Sequence, residues 1–266
     1  MSPAPLITAP LITVLVPVRG DAAFLHAALD SLRAQSMGEW TALLCPTGDA
    51  AHAAASTTAA DEPRLRIADT QALAEPDALA HAARSIESEF LCVLDGDDLL
   101  QPTALALLLD AFQADPAAGM AYSRHVLIDG NGRTLGPGPL CELPYSPQAL
   151  LLDFMTGPLR LIRTKAYREA GGHQAAHPDA IDYDLCLRLS EATGIVHVSQ
   201  ALYRRRIHPQ APEVARWAEG IEGRYNAFVE AVKRRGLDAT HDYALHIDSW
   251  HILQSLRPFG GAGSWR

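Results

Sequence analysis

Three short apolar runs constrain this chain most: ITVLVPV (Ile12 to Val18), WTALLC (Trp40 to Cys45) and FLCVL (Phe90 to Leu94). Each has the length and composition of a strand buried on both faces. Helix-period segments lie between them. Phe24, Leu25, Ala28, Leu29 and Leu32 recur at helical spacing after Asp21, which can cap the helix, and before Gly38. Ala50 to Ala60 and Asp77 to Ser85 predict two more helices, and Leu65 to Ala68 a short strand. Strands alternating with helices at this spacing predict a largely parallel, doubly wound sheet. Ligands of such sheets bind at the carboxyl ends of strands. One such end carries Asp95-Gly96-Asp97-Asp98.

Pro102 suits the first turn of a helix bearing Leu105, Leu108, Leu109 and Phe112. Beyond Pro116 the pattern changes. Met120 to Leu127 with the turn Asp129-Gly-Asn-Gly132 reads as a hairpin-like insert. Pro147 to Phe154 predicts a helix, Leu159 to Ile162 a strand, Asp182 to Leu189 a helix and Ile195 to Val198 a strand. Val214, Trp217, Ile221, Tyr225, Phe228 and Val232 keep helical spacing through a long C-terminal helix, and the glycine-rich tail from Gly260 is expected to be mobile. The expected division is 1–116 for one α/β half, 117–210 for the second half of the same domain, and 211–266 for a helical extension.

A net charge of −9 argues against nucleic acid as a partner, because phosphate neutralisation needs a basic face. Cys45, Cys92, Cys141 and Cys186 form no C-x-x-C pair, which supports neither a zinc ribbon nor a redox motif; Cys45 and Cys92 sit in apolar strand-like runs, so reduced thiols and a cytoplasmic location are expected. Pro5, Pro10 and Pro17 interrupt the apolar N-terminus, which has no basic residue before Arg19 and reads as neither signal peptide nor membrane span. Its doubled segment, Ala4 to Thr8 and Ala9 to Thr13, is too short a repeat to build an array. Lys233-Arg234-Arg235 at the end of the long helix offers a peripheral contact with the inner face of a membrane, or packs on its own domain.

Two carboxylates one residue apart on a tight turn can converge on one divalent cation. Oxygen ligands suit Mg²⁺ or Mn²⁺, which complete their shell with substrate phosphates and water. Gly96 allows the close backbone approach this needs. The plain alternative is a solvated acidic turn capping the helix after Pro102.

FLCVLDGDDLLQPTALALLLDAF resembles the strand, D-x-D-D turn and Pro-started helix of the family 2 glycosyltransferases, which have the GT-A fold. Three more segments agree in order: ITVLVPV with Gln35-Ser36, RTKAYREAGGHQ (Arg163 to Gln174), and IDYDLCLRL (Ile181 to Leu189) followed by YRRRIHP (Tyr203 to Pro209). The resemblance covers residues 11 to 209. It implies an α/β, GT-A (Rossmann-like), doubly wound mixed sheet with a C-terminal helical extension. It also implies a nucleotide-sugar donor, a glycan, lipid-linked or small-molecule acceptor, and inverting transfer.

Carried over by position, the resemblance puts Asp95 near the donor ribose and makes Asp97 a metal ligand, joined by His208. It gives Asp98 either a metal role or a helix cap. Asp182 becomes the general base that takes the acceptor proton, with Asp184 the better fit to a helix N-terminal acid. Pro17, Val18, Arg19, Thr47 and Asp49 complete the expected donor contacts, and one or two of Arg204, Arg205 and Arg206 can face a diphosphate.

The chain also departs from the family pattern. Pro46-Thr47-Gly48-Asp49 stands where D-D-G-S is usual, Ala78-Leu79-Ala80 where A-R-N is usual, and Ile181 where a glutamate precedes the base. Arg19 is the residue expected to supply the missing positive charge. The readings are an active transferase with unusual donor contacts, a GT-A-fold protein that has lost transfer and binds sugars or a partner, and a nucleotidyltransferase. The last class wants a Gly-rich phosphate loop after the first strand, where only Gly20 stands.

Overall fold

The computed structural model describes residues 10–20, 22–60, 62–209, 216–247 and 252–258. The doubled N-terminal segment up to residue 9, the capping role of Asp21, the helix start around Val214 and the tail from Gly260 lie outside the described residues.

The first half alternates as its apolar runs dictate. It contains β1 (Ile12–Arg19), α1 (Leu25–Arg33), β2 (Trp40–Thr47), α2 (Asp49–Ala59), β3 (Leu65–Ile67), α3 (Glu75–Arg84) and β4 (Phe90–Val93). Next come β5 (Leu99–Leu100), α4 (Ala104–Ala114), β6 (Ala118–Ile128), β7 (Thr134–Pro137), α5 (Pro147–Leu152), β8 (Arg160–Arg163) and α6 (Thr164–Glu169). Then follow α7 (Ile181–Ala192), β9 (Gly194–Arg206), α8 (Trp217–Arg234) and the pair β10 (His241–Ile247) and β11 (Ile252–Pro258).

The main sheet runs β3-β2-β1-β4-β8-β6-β9-β5, with β7 on β6. Strands β3, β2, β1 and β4 are parallel, β8 is antiparallel to both β4 and β6, and β6 is parallel to β9. The sheet is therefore mixed. Ile12, Val14, Leu15, Val16 and Val18 of β1 are at most 1% exposed, each contributing about 1.5–3 kcal/mol by burial. One face packs on α1, α2 and α4 through Leu25, Leu29, Leu32, Leu105 and Leu108. The other packs on α3 and α5 to α8 through Leu79, Leu150, Leu187 and Phe228. Both faces are covered, as near-continuous apolar strands require.

Four expectations change. The segment from Met120 is no insert: β6 is a central strand between β8 and β9, and only its far end pairs with β7 to make the hairpin. Pro102 precedes its helix, which begins at Ala104 after Thr103. The strand read over Ile195 to Val198 runs on to Arg206, carrying all three arginines along the edge of the acidic turn. The extension is more than helical, because β10 and β11 form an antiparallel pair after α8. Among the described residues no helix is long and apolar enough to cross a membrane. Arg234 and Arg235 at the end of α8 both pair with Glu191, so the basic end of the helix is tied to its own domain.

Candidate active site

The acidic turn leaves β4 beside the end of β1, and Gly96 fits there because it has no side chain. A Cβ on Gly96 would lie 2.9 Å from the Pro17 carbonyl oxygen. From the other side β9 holds the turn. The Tyr203 hydroxyl accepts from the Asp95 N–H at 3.2 Å and bonds the Asp98 carboxylate. Asp98 Oδ1 accepts from the Arg206 N–H at 2.6 Å. The buried Arg206 guanidinium donates to the Asp97 carbonyl at 2.7 Å and to the Asp129 and Gly130 carbonyls at 3.0 and 2.9 Å, and it lies over the Phe24 ring.

Asp98 is thus a strut, 3% exposed. It caps no helix, and its carboxyl is pushed well above the usual range by burial and by Asp95 and Asp97. Asp98→Ala is expected to strand two buried donors, the Arg206 N–H and the Tyr203 hydroxyl. At about 1–3 kcal/mol for each unmade bond, urea denaturation should show about 2–6 kcal/mol of lost stability.

The turn faces a cavity of 490 Å³ lined by Arg19, Glu75, Asp95, Asp97, Ile181 and Asp182, among others. Burial pushes the Asp95 carboxyl up to about 7; Asp97, Asp182 and Glu75 add to this, while Arg19 opposes it. Arg19 grips Glu75 of α3 with two hydrogen bonds and lies 3.6 Å from Asp95. A positive charge does sit beside the acidic turn, already matched by an acid that the sequence reading did not single out.

Asp182 stands at the start of α7, its side chain 35% exposed, between two basic groups. Arg160 of β8, only 3% exposed, reaches it at 2.7 Å, and His173 Nε2 at 3.5 Å. Burial pushes the Asp182 carboxyl up, but Arg160 and His173 outweigh it and hold it well below the usual carboxylate range. The paired glycines make room for this. Gly171 and Gly172 have φ of +85° and +62°, and a Cβ on Gly172 would lie 2.8 Å from the Tyr167 ring. The Tyr167 hydroxyl meets His173 Nδ1 at 2.8 Å. The same oxygen accepts from the His173 backbone N–H at 3.0 Å. Asp184 is buried and pairs with Arg188 one turn on, a structural role. Arg160 and His173 were not singled out from the sequence. An arginine inside an apolar strand and a histidine directly after paired glycines were the available signals.

Asp97 Oδ2 lies 2.9 Å from His208 Nε2, and Phe24 packs against the imidazole. Among the described residues no three His, Cys, Asp or Glu side chains form a ready metal cage. One carboxylate and one imidazole nevertheless fit a Mn²⁺ or Mg²⁺ that takes its remaining ligands from water and a diphosphate.

Of the other expected donor contacts, Pro17 and Val18 are strand residues packed under the turn, with Val18 1% exposed. Thr47 sits opposite Arg19 in register, its hydroxyl donating to the Val18 carbonyl at 3.4 Å. Asp49 accepts from Gln71 at 2.5 Å. These four do not line the cavity, whereas Arg19 and Asp95 do. Of the three arginines, Arg205 and Arg206 line it, and Arg204 donates to the Gly132 carbonyl at 2.6 Å.

The mixed sheet with an acidic turn at a parallel strand end is the GT-A fold, shared with solved glycosyltransferase structures. S. aureus TarS 1-349 in complex with UDP-GlcNAc superposes with a TM-score of 0.65 at 15% identity, covering 83% of this chain and 66% of that one. The mannosyltransferase PcManGT from Pyrobaculum calidifontis, in complex with GDP-Man and Mn²⁺, gives 0.64 at 16% identity, over 85% of this chain and 65% of that one. The chain belongs to glycosyl transferase family 2, whose family model matches residues 13–171, more than half of its length. That match takes in the acidic turn and stops before α7. The Escherichia coli chondroitin synthase is 24% identical over 230 residues, which are 86% of this chain and 33% of the synthase. This chain therefore spans about a third of that relative.

Proposed function

We propose that this chain transfers a sugar from a nucleoside-diphosphate donor to an acceptor hydroxyl in one in-line displacement that inverts the anomeric centre. The observation that carries the reading is the shared cavity. An accessible, ionised Asp182 faces the same 490 Å³ space as Asp95 and Asp97. The acceptor oxygen attacks the anomeric carbon, its proton passes to Asp182, and the diphosphate leaves with the bonding electron pair. Arg160 and His173 keep Asp182 ionised and aimed, so it is ready to accept when the hydroxyl acidifies in the transition state. Asp97 and His208 would hold the Mn²⁺ or Mg²⁺, which when bound neutralises charge on the departing diphosphate. Asp95 faces the donor ribose.

A UDP-sugar is the favoured donor, on family resemblance. Selectivity for the base is expected to be weak. Pro46 offers neither a side-chain acceptor nor an N–H, its carbonyl already accepts from Thr70 at 2.9 Å, and Asp49 is engaged by Gln71. A recognition site that lacks matched polar groups discriminates poorly between base edges. Competition binding of UDP, GDP, CDP and dTDP at fixed Mn²⁺ should therefore show UDP preferred by less than about 100-fold, roughly 2.7 kcal/mol. A larger preference overturns the weak-selectivity reading. Failure of every diphosphate to bind would leave a sugar- or partner-binding protein without transfer.

A further inference from the structure

The cavity has a second charged wall that the transfer chemistry does not use. Gly220 and Arg224 line it from one face of α8, four residues apart, and Arg216, the residue before the helix, lines it four residues earlier. Space over Gly220 is open: a Cβ placed there meets no atom of the described residues within 4 Å. On one side of that gap Arg216 is tethered to Asp179 at 2.7 Å while its side chain stays 51% exposed. On the other side Arg224 lies over the Tyr183 ring, 5.8 Å from its centroid, and its Nε is buried without a hydrogen-bond acceptor among the described residues. Such a donor on a permanent cation is unfavourable unless a ligand supplies the acceptor. The nearby carboxylates do not supply it, because Asp179 is matched by Arg216, Asp182 by Arg160 and Glu75 by Arg19. Arg205 adds further positive charge to the same cavity.

We propose that the Arg216, Gly220 and Arg224 face of α8 is an anion subsite that receives a negatively charged group of the acceptor, a sugar carboxylate or a phosphodiester. Two guanidinium forks flanking a glycine form a slot for a planar or tetrahedral oxyanion. The slot belongs to the acceptor rather than the donor, because Arg224 packs on Tyr183, the chain neighbour of Asp182. The donor diphosphate is assigned instead to Asp97 and His208 on the acidic turn. The assignment to an acceptor rests on the transferase reading above.

Calorimetry with three probes tests it, in the presence of UDP and Mn²⁺: a glucuronate-containing hexasaccharide, a glycerol phosphate oligomer and a neutral glucose hexasaccharide. One of the two anionic probes should bind at least about tenfold more tightly than the neutral one, and which of them does so identifies the anion. Arg224→Gln and Gly220→Leu should each abolish that preference while leaving UDP affinity unchanged. Leucine fills the open space and favours helix over glycine, so an unchanged thermal midpoint shows that Gly220→Leu is folded. Equal binding of all three probes, or a preference that survives both variants, overturns the subsite. Loss of UDP affinity in both variants would assign the slot to the donor, overturning the inference and leaving the transferase reading intact. A wild-type protein that prefers an anionic probe but binds none of UDP, GDP, CDP and dTDP would keep the anion site and overturn the transferase reading instead.

Discussion

Asp182→Asn is expected to lower turnover by about 10²-fold or more, the usual scale for a lost general base. Affinity for the nucleoside diphosphate should stay at its wild-type value, since Asp182 is assigned to the acceptor hydroxyl. The amide cannot take a proton, yet it keeps the shape of the carboxylate. Its cost to the fold comes from Arg160, which is buried and reaches Asp182 at 2.7 Å. Removing one partner of a fully buried pair costs about 3–5 kcal/mol, and the 35% exposure of Asp182 brings this case below that range. Initial rates and a thermal melt on the same preparation separate the two effects. Folded Asp182→Asn protein turning over at the wild-type rate would reduce Asp182 to a structural partner of Arg160.

The second large effect is expected at Asp97. In wild-type protein Mn²⁺ or Mg²⁺ should strengthen nucleoside diphosphate binding, and Asp97→Asn should remove that strengthening. Asp97 Oδ2 and His208 Nε2 are already 2.9 Å apart, so the cation would exchange one contact for two without moving the backbone. An amide oxygen is a weaker ligand than a carboxylate for a hard cation. The expected loss is about 10²-fold in affinity at saturating metal, or roughly 2.7 kcal/mol. His208→Ala should move in the same direction. Titration calorimetry with and without EDTA is the measurement, and equal wild-type affinity in both would remove the metal from the mechanism.

The layered fold was legible because buried parallel strands write themselves as uninterrupted apolar runs, and β1, β2 and β4 are such runs. The reading weakened where polarity rises for tertiary reasons. In β6, Arg124 and His125 interrupt the apolar pattern, and the turn after Ile128 looks like that of a free hairpin. Only pairing with β8 and β9 makes β6 central. The pair β10 and β11 has mixed-polarity strands without an apolar run to announce them. At the site, Asp97 and His208 were expected to meet and do meet. Asp98 could not be read locally, because its partners Tyr203 and Arg206 come more than a hundred residues later. Arg160 and His173 escaped notice for the same reason: each acquires its meaning only when β8 and the glycine pair are laid beside α7.

The way β9 braces the acidic turn bears on when this chain becomes competent. The turn is closed by bonds from Asp95 to Tyr203, Asp98 to Arg206 and Asp97 to His208, which join residues 108, 108 and 111 positions apart. Contacts of such high order carry a larger loop-closure cost, which local helices and neighbouring strands reduce once they are in place. A chain emerging from the ribosome can wind the first α/β units while its four-residue acidic turn is still unbraced. The site cannot be closed before β9 and His208 exist, so the residue types that announce it most clearly in the sequence are organised by a strand made long afterwards.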